Sequence, residues 1–192
     1  MQLDRDRILS TALELLNSYG LADVTMRRVS TALGVAPGAL YWHVANKQAL
    51  IAAMAEKILA PVSGTSPLNV AKSLHSALLS WRDGAEVASA GLAYPDSGTW
   101  EVLTEKIAAS FKSVEGHCAL EAEVQAASLA IAHLVLGATQ MEQSRQQLAE
   151  SAKATASADA ADKSPVDHRP DIHRGVEIIV NGLRNPLAGT EN

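Results

Sequence analysis

The stretch TMRRVSTALGVAPGALYWHVANK, residues 25–47, reads as two short helices joined by a tight turn. Thr25 suits the cap of a helix whose apolar Val29 and Leu33 stand four residues apart on one face. Gly34 falls where that helix must stop in a left-handed conformation, and Val35 can fold back over its end. Pro37 suits the first turn of a second helix, since its missing N–H is among the donors a helix start leaves unpaired. Leu40 turns that short helix into the angle between the two. Residues 24–55 contain no acidic side chain, yet they hold Arg27, Arg28 and Lys47. A basic, acid-free, two-helix unit has a phosphate backbone as its natural partner.

The net charge of −5 argues against nucleic acid until its distribution is read. Residues 1–47 carry five Lys/Arg and four Asp/Glu, for +1, whereas residues 48–192 carry eleven and seventeen, for −6. An acidic body confines phosphate attraction to the head and limits non-specific binding. Hydrophobic residues make up 47%, which excludes a largely disordered chain, and the low 4% of aromatics beside abundant Ala, Leu, Glu, Gln and Lys favours helix. No apolar run approaching a membrane span and no leader before Asp4 is read, so a cytoplasmic protein is expected. Cys118 is the single cysteine, which leaves no intrachain disulfide.

Outward from the opening stretch, the pattern predicts an all-α chain. Residues 4–19 form an amphipathic helix with Ile8, Ala12, Leu15 and Tyr19 on one stripe and Gly20 at its end. Asn46 caps a further helix towards Leu59, with Leu50, Met54 and Ile58 aligned and Pro61 limiting it. The segment PVSGTSP, residues 61–67, punctuates the chain between reading head and body. Helices are then expected over 68–80, 82–90 (ended by Gly91), 97–114 and 120–148. Residues 149–170 are low in complexity and weakly apolar, hence an expected flexible loop, and 171–184 return to helix with Ile172, Val176, Ile179 and Leu183 aligned. The two last helices hold more apolar stripe than so small a body can bury, and a twofold copy would cover it; ordinary core packing is the alternative.

Residues 25–47 resemble the DNA-binding domain of the tetracycline-repressor (TetR) family, with LYWHVANKQAL (residues 40–50) especially similar. Weaker likeness follows in order through ALLSWRDGAEV (77–87), HLVLG (133–137) and EIIVNGL (177–183). The resemblance implies an N-terminal three-helix domain with a helix-turn-helix over 1–47, and a helical effector-binding and dimerisation domain over 48–192. It implies a homodimer on a double-stranded DNA operator, with the late helices in a dimeric four-helix bundle.

Several residues in the head carry the DNA chemistry. Arg27 and Arg28 stand in the first turn of their helix, whose free N–H groups and positive dipole end favour an anion. The resemblance implies that Tyr41, His43 and Lys47 clamp phosphates, with Thr25, Arg27 and Trp42 also close to DNA. Burial inside the head is the alternative for Tyr41 and Trp42. Pro37, Gly38 and Ala39 lie where base edges are read. They depart from the polar residues of tetracycline-responsive members, and small side chains cannot make bidentate pairs with guanine or adenine. Arg27 is therefore the expected base reader.

The effector site departs further. Tetracycline-responsive members use a histidine and a glutamate to hold a magnesium–drug complex, and the matching positions here are Ala88 and Met141. Ser63, Val70 and Lys106 replace other polar groups at that site. With Leu74, Lys106 and Gln140, such a lining suits a largely apolar effector carrying one acceptor or acid. Glu142 stands next to Met141, where a shift of one position would restore a carboxylate. No cofactor and no metal site are expected: His43, His75, His117, His133, His168 and His173 lack metal-ligand spacing apart from a loose pair at 168 and 173. Without a glycine-rich phosphate loop, a GxSxG or a CxxC, a non-enzyme is expected. The sequence thus reads as a ligand-responsive repressor, with an architectural DNA-binding protein as the alternative.

Overall fold

The helix starts follow from caps legible in the chain. In the computed structural model, which describes residues 3–95, 97–114, 120–155 and 171–184, the Asp4 carboxylate accepts the Arg7 N–H at 2.8 Å and starts α1, Arg5–Tyr19. Thr25 Oγ1 accepts the Arg28 N–H at 3.1 Å and starts α2, Met26–Leu33. Gly34 ends it at φ 68°, and the Val35 N–H reaches back to the Ser30 carbonyl at 3.0 Å, which satisfies an orphan acceptor. Pro37 opens the single-turn α3, Pro37–Leu40. Asn46 Oδ1 takes the Ala49 N–H at 2.8 Å and starts α4, Lys47–Leu59. Ser66 caps α5, Pro67–Leu79, through the Asn69 N–H at 3.3 Å.

The remaining described helices are α6 (Gly84–Leu92), α7 (Thr99–Ser110), α8 (Glu121–Thr155) and α9 (Ile172–Arg184), with no strand among the described residues. The fold class is all-α. Helix α8 runs on through residues 149–155, which the sequence reading assigned to a loop. Alanine, glutamate and lysine there are strong helix formers, so propensity extends an already nucleated helix beyond its buried stripe. Residues 156–170 lie outside the described residues, as do Cys118, His117 and His168.

Gly91 does not end α6 but sits inside it. A Cβ at Gly91 would fall 2.2 Å from the Ala55 Cβ and 3.2 Å from the Ala52 Cα, so the glycine lets α6 lie close against α4. That contact is the broadest helix pairing among the described residues and ties α4, which follows directly from the head, to the rest of the body. In the head, Ile8, Leu9, Ala12, Leu13, Leu16, Val24, Val29 and Leu40 close a core with Leu50 and Met54 of α4. In the body, Leu74 and Leu78 of α5, Leu103 and Ile107 of α7, Ile131 and Val135 of α8 and Val176 of α9 form the continuation of that core.

By length and composition alone, α8 is apolar enough to cross a membrane, contrary to the sequence reading. Its apolar stripe packs on α5, α6, α7 and α9, which makes it the core helix of the body. Val176 is fully buried inside the single chain, against the expectation that it faces a second copy. Met141, Leu148 and Ile178 remain 57%, 70% and 59% exposed on α8 and α9.

Candidate nucleic-acid interface

One turn of α3 sets the presentation of the head's surface. Leu40 and Val44 are buried, so the three residues between them are forced outward. Tyr41 is 53% and Trp42 89% exposed, and His43 is exposed beside them. The buried alternative for both aromatics is thereby excluded. The His43 and Val44 N–H groups both return to the Leu40 carbonyl at 2.9 Å, which holds the turn tight. Pro37 and Gly38 are exposed and Ala39 is half-buried, while Lys47 opens α4 half-buried. Thr25 and Arg27 are exposed at the start of α2.

Arg28 differs from Arg27. Its Nη1 donates to the Asp23 carboxylate, and its guanidinium carbon lies 3.9 Å from the centroid of the Tyr19 ring. Arg28 thus ties α2 to the end of α1 through an ion pair and a cation–π contact. Sequence reasoning placed it on phosphate from its position in the first turn of α2, where the positive end of the helix favours an anion.

The head is fastened to the body at the turn between α5 and α6. Asp83 adopts φ 54°, a left-handed conformation uncommon for a residue with a side chain. Its Oδ2 accepts the Leu21 N–H at 2.7 Å, and its Oδ1 accepts from the Gln147 side-chain amide of α8. Arg82 N–H donates to Asn17 Oδ1 at 3.0 Å. The buried Gln143 amide accepts the Ala85 N–H at 3.0 Å and donates to the Trp81 carbonyl at 2.8 Å. The same turn is held by α1 on one side and α8 on the other. Sequence reasoning missed this joint, although an Asp-Gly pair is a turn signal and Asp tolerates the left-handed region.

The effector candidates do not share one cavity. Val70, Leu74 and Ala88 are buried in the body core. Ser63 is exposed, its N–H bound to Ser73 Oγ at 3.1 Å, and Met141 is largely exposed. Lys106 lines a cavity of about 410 Å³ between α4 and α7. Gln140 lines another of about 440 Å³ formed by α6, α7 and α8, where the Trp100 and His133 rings lie 5.1 Å apart. Glu142 is engaged by His75 Nε2 at 3.0 Å, an α5–α8 contact that sequence reasoning missed because 67 residues separate the partners. No group of three or more His, Cys, Asp or Glu gathers at metal-binding distance among the described residues.

A tetR-family bacterial regulatory protein model matches residues 8–54, the head and the first half of α4. The class D tetracycline repressor protein of Escherichia coli is 42% identical over 97 residues, 45% of this chain and 44% of the relative, so the match spans under half of that relative's length. The class G tetracycline repressor protein of Vibrio anguillarum is 34% identical over 148 residues, 71% of this chain and 67% of the relative. Likeness extends over the whole fold in the crystal structure of BioQ with its natural double-stranded DNA operator, at 31% identity and TM-score 0.76, covering 96% of this chain and 99% of that one. With the capped two-helix head, the all-α body and these matches together, this chain belongs to the TetR family of bacterial regulatory proteins.

Proposed function

We propose that this protein is a homodimeric transcriptional repressor that binds a palindromic double-stranded DNA operator and is released by a small-molecule effector. In this reading residues 1–47 are the reading head and residues 48–192 the effector-binding and dimerisation domain. The observation that carries it is the outward Tyr41, Trp42 and His43 in an acid-free segment that also presents Arg27 and Lys47. A tryptophan 89% exposed is out of place on an inert surface and suited to a partner. Thr25, Arg27, Tyr41, Trp42, His43 and Lys47 are assigned to DNA, with Pro37, Gly38 and Ala39 facing base edges. Arg28 acts through Asp23 and Tyr19 by fixing α2. The BioQ complex with its own operator supports this by likeness of fold.

Dimerisation is proposed through α8 and α9, whose exposed Met141, Leu148 and Ile178 leave apolar surface that a second copy would cover. Two heads on one twofold axis then read two half-sites about one helical turn apart. A DNA operator as partner fits a cytoplasmic protein, and regulation requires no catalysis. The effector is proposed to be largely apolar rather than magnesium–tetracycline, because neither Ala88 nor Met141 offers a hard-ion ligand.

Selection of duplexes from a random pool by the full-length protein, followed by DNase footprinting, tests the function. A single short protected palindrome is the expected result. Broad coating of DNA without sequence preference would instead identify an architectural protein, and no selected duplex at all would remove the nucleic-acid assignment.

A further inference from the structure

Lys106 lies on the inner side of α7, half-buried, and its ammonium is spent on a main-chain carbonyl of another element. Nζ donates to the main-chain carbonyl of Val62 at 3.0 Å. Val62 is 1% exposed and follows the C-terminal end of α4, where its own N–H closes a turn on the Leu59 carbonyl at 3.0 Å. A lysine on the body therefore pins the far end of the helix whose near end begins at Asn46 and Lys47 in the proposed reading head.

The same lysine borders the cavity of about 410 Å³ between α4 and α7, whose other walls include Leu59, Ala60, Val102 and Leu103. That volume is in the range of small-molecule sites, and the lining is mainly apolar with one cation. Glu56 stands at the rim, but its side chain is 67% exposed and faces Arg5 at 3.9 Å, so solvent screens its repulsion. Lys106 is the more desolvated charge.

We propose that this cavity binds an apolar organic carboxylate, and that the carboxylate takes the Lys106 ammonium away from the Val62 carbonyl and thereby loosens the end of α4. The proposal deepens the repressor reading and rests on it for the link to DNA. A carboxylate outcompetes a neutral carbonyl for an ammonium group, because it adds the attraction of a full opposite charge in a partly buried setting. Once deserted, the buried Val62 carbonyl has to move to find another donor. The displacement acts on α4 directly, and α4 carries the head.

Octanoate and 4-phenylbutyrate, each with its matching alcohol, are titrated by calorimetry into the full-length protein free of DNA. The wild type should bind at least one acid tenfold or more tightly than its alcohol. Lys106→Met, which keeps an apolar stem and loses the charge, should bind acid and alcohol alike. Val102→Glu guards against a folding failure of that variant, because Val102 is 52% exposed and tolerates replacement. It places a carboxylate at the cavity wall and should lower acid affinity at least fivefold while leaving the alcohol unchanged. Equal binding of acid and alcohol, undiminished acid binding in either variant, or no binding of either acid overturns the cavity assignment. On the duplex selected by the wild type, the bound acid should weaken operator affinity about tenfold, and Lys106→Met should show part of that loss with no ligand. Acid binding with unchanged operator affinity overturns the link to α4. A wild type that binds no duplex defeats the repressor reading instead, and leaves the calorimetric result standing.

Discussion

Arg27 and Arg28 are adjacent in the first turn of α2, and a helix turns about 100° per residue, so their side chains leave the axis in different directions. Arg28 meets Asp23 and Tyr19 on the head's own surface, whereas Arg27 points to solvent. Arg27→Ala is expected to cost about 1–3 kcal/mol on the selected operator and to relax sequence preference. Lys47→Ala should weaken all duplexes similarly and flatten the logarithmic salt slope by about one. Gel-shift titrations over a salt series separate the two, and wild-type binding in both variants would remove the interface from this face. The division between the two arginines was invisible in the sequence. Capping rules expose Thr25 and Gly34, because those interactions are local, but whether an arginine finds Asp23 or solvent depends on how α1 lies over α2.

At the scale of elements, the two helices the sequence read least well are α6 and α8, for different reasons. Gly91 was taken as a terminator because glycine is disfavoured inside a helix, yet the cost of about 1 kcal/mol relative to alanine is accepted where a neighbour comes too close for a Cβ. Gly91→Ala should therefore destabilise the protein by about 1–3 kcal/mol despite the better helix propensity, since the new methyl would overlap Ala55. Urea unfolding checks this, and a more stable variant would show that α4 and α6 are not held at that spacing. The end of α8 was misjudged because patterning marks a helix by its buried stripe, and residues 149–153 continue the helix with exposed side chains. The apolar face of α9 was correctly read, but its residues divide between the body core and the outer surface. Val176 closes the body core, whereas Ile178 faces outward. Ile178→Asp should weaken the proposed dimer by several kcal/mol while leaving the helical signal intact, because its charge would be buried only in the assembled state. Sedimentation of wild type and variant at micromolar concentration tests it; a monomeric wild type would count against the bundle.

For the whole molecule, family likeness and local chemistry point to different ligands. Relatives of this chain include tetracycline repressor proteins, but Ala88 is buried with no donor atom and Met141 is turned largely to solvent. Magnesium–tetracycline should bind no tighter than about 100 μM, or −5.5 kcal/mol, by calorimetry. Submicromolar, magnesium-dependent binding would restore the metal site and point to Glu142, which would have to leave His75. The all-α architecture, the capped head and its order before the body were legible because helix signals act over a few residues. The effector set was not, since a cavity is made by side chains far apart in sequence, and five of the seven residues proposed for it lie in the core or on the surface.

The Leu21 amide has a further use. Its proton is shared with Asp83, a residue 62 positions away on another part of the fold, rather than with the local helix ladder. Exchange of that single proton with deuterated solvent consequently follows the parting of α1 from the α5–α6 turn and not the fraying of α1. Asp83→Gly would suit the left-handed backbone while deleting the acceptor, so Leu21 should exchange at least tenfold faster in that variant with the amides of α1 unchanged. In the wild type the same amide becomes a clock for how often the head detaches, readable by nuclear magnetic resonance without DNA, without an effector and without knowing the identity of either.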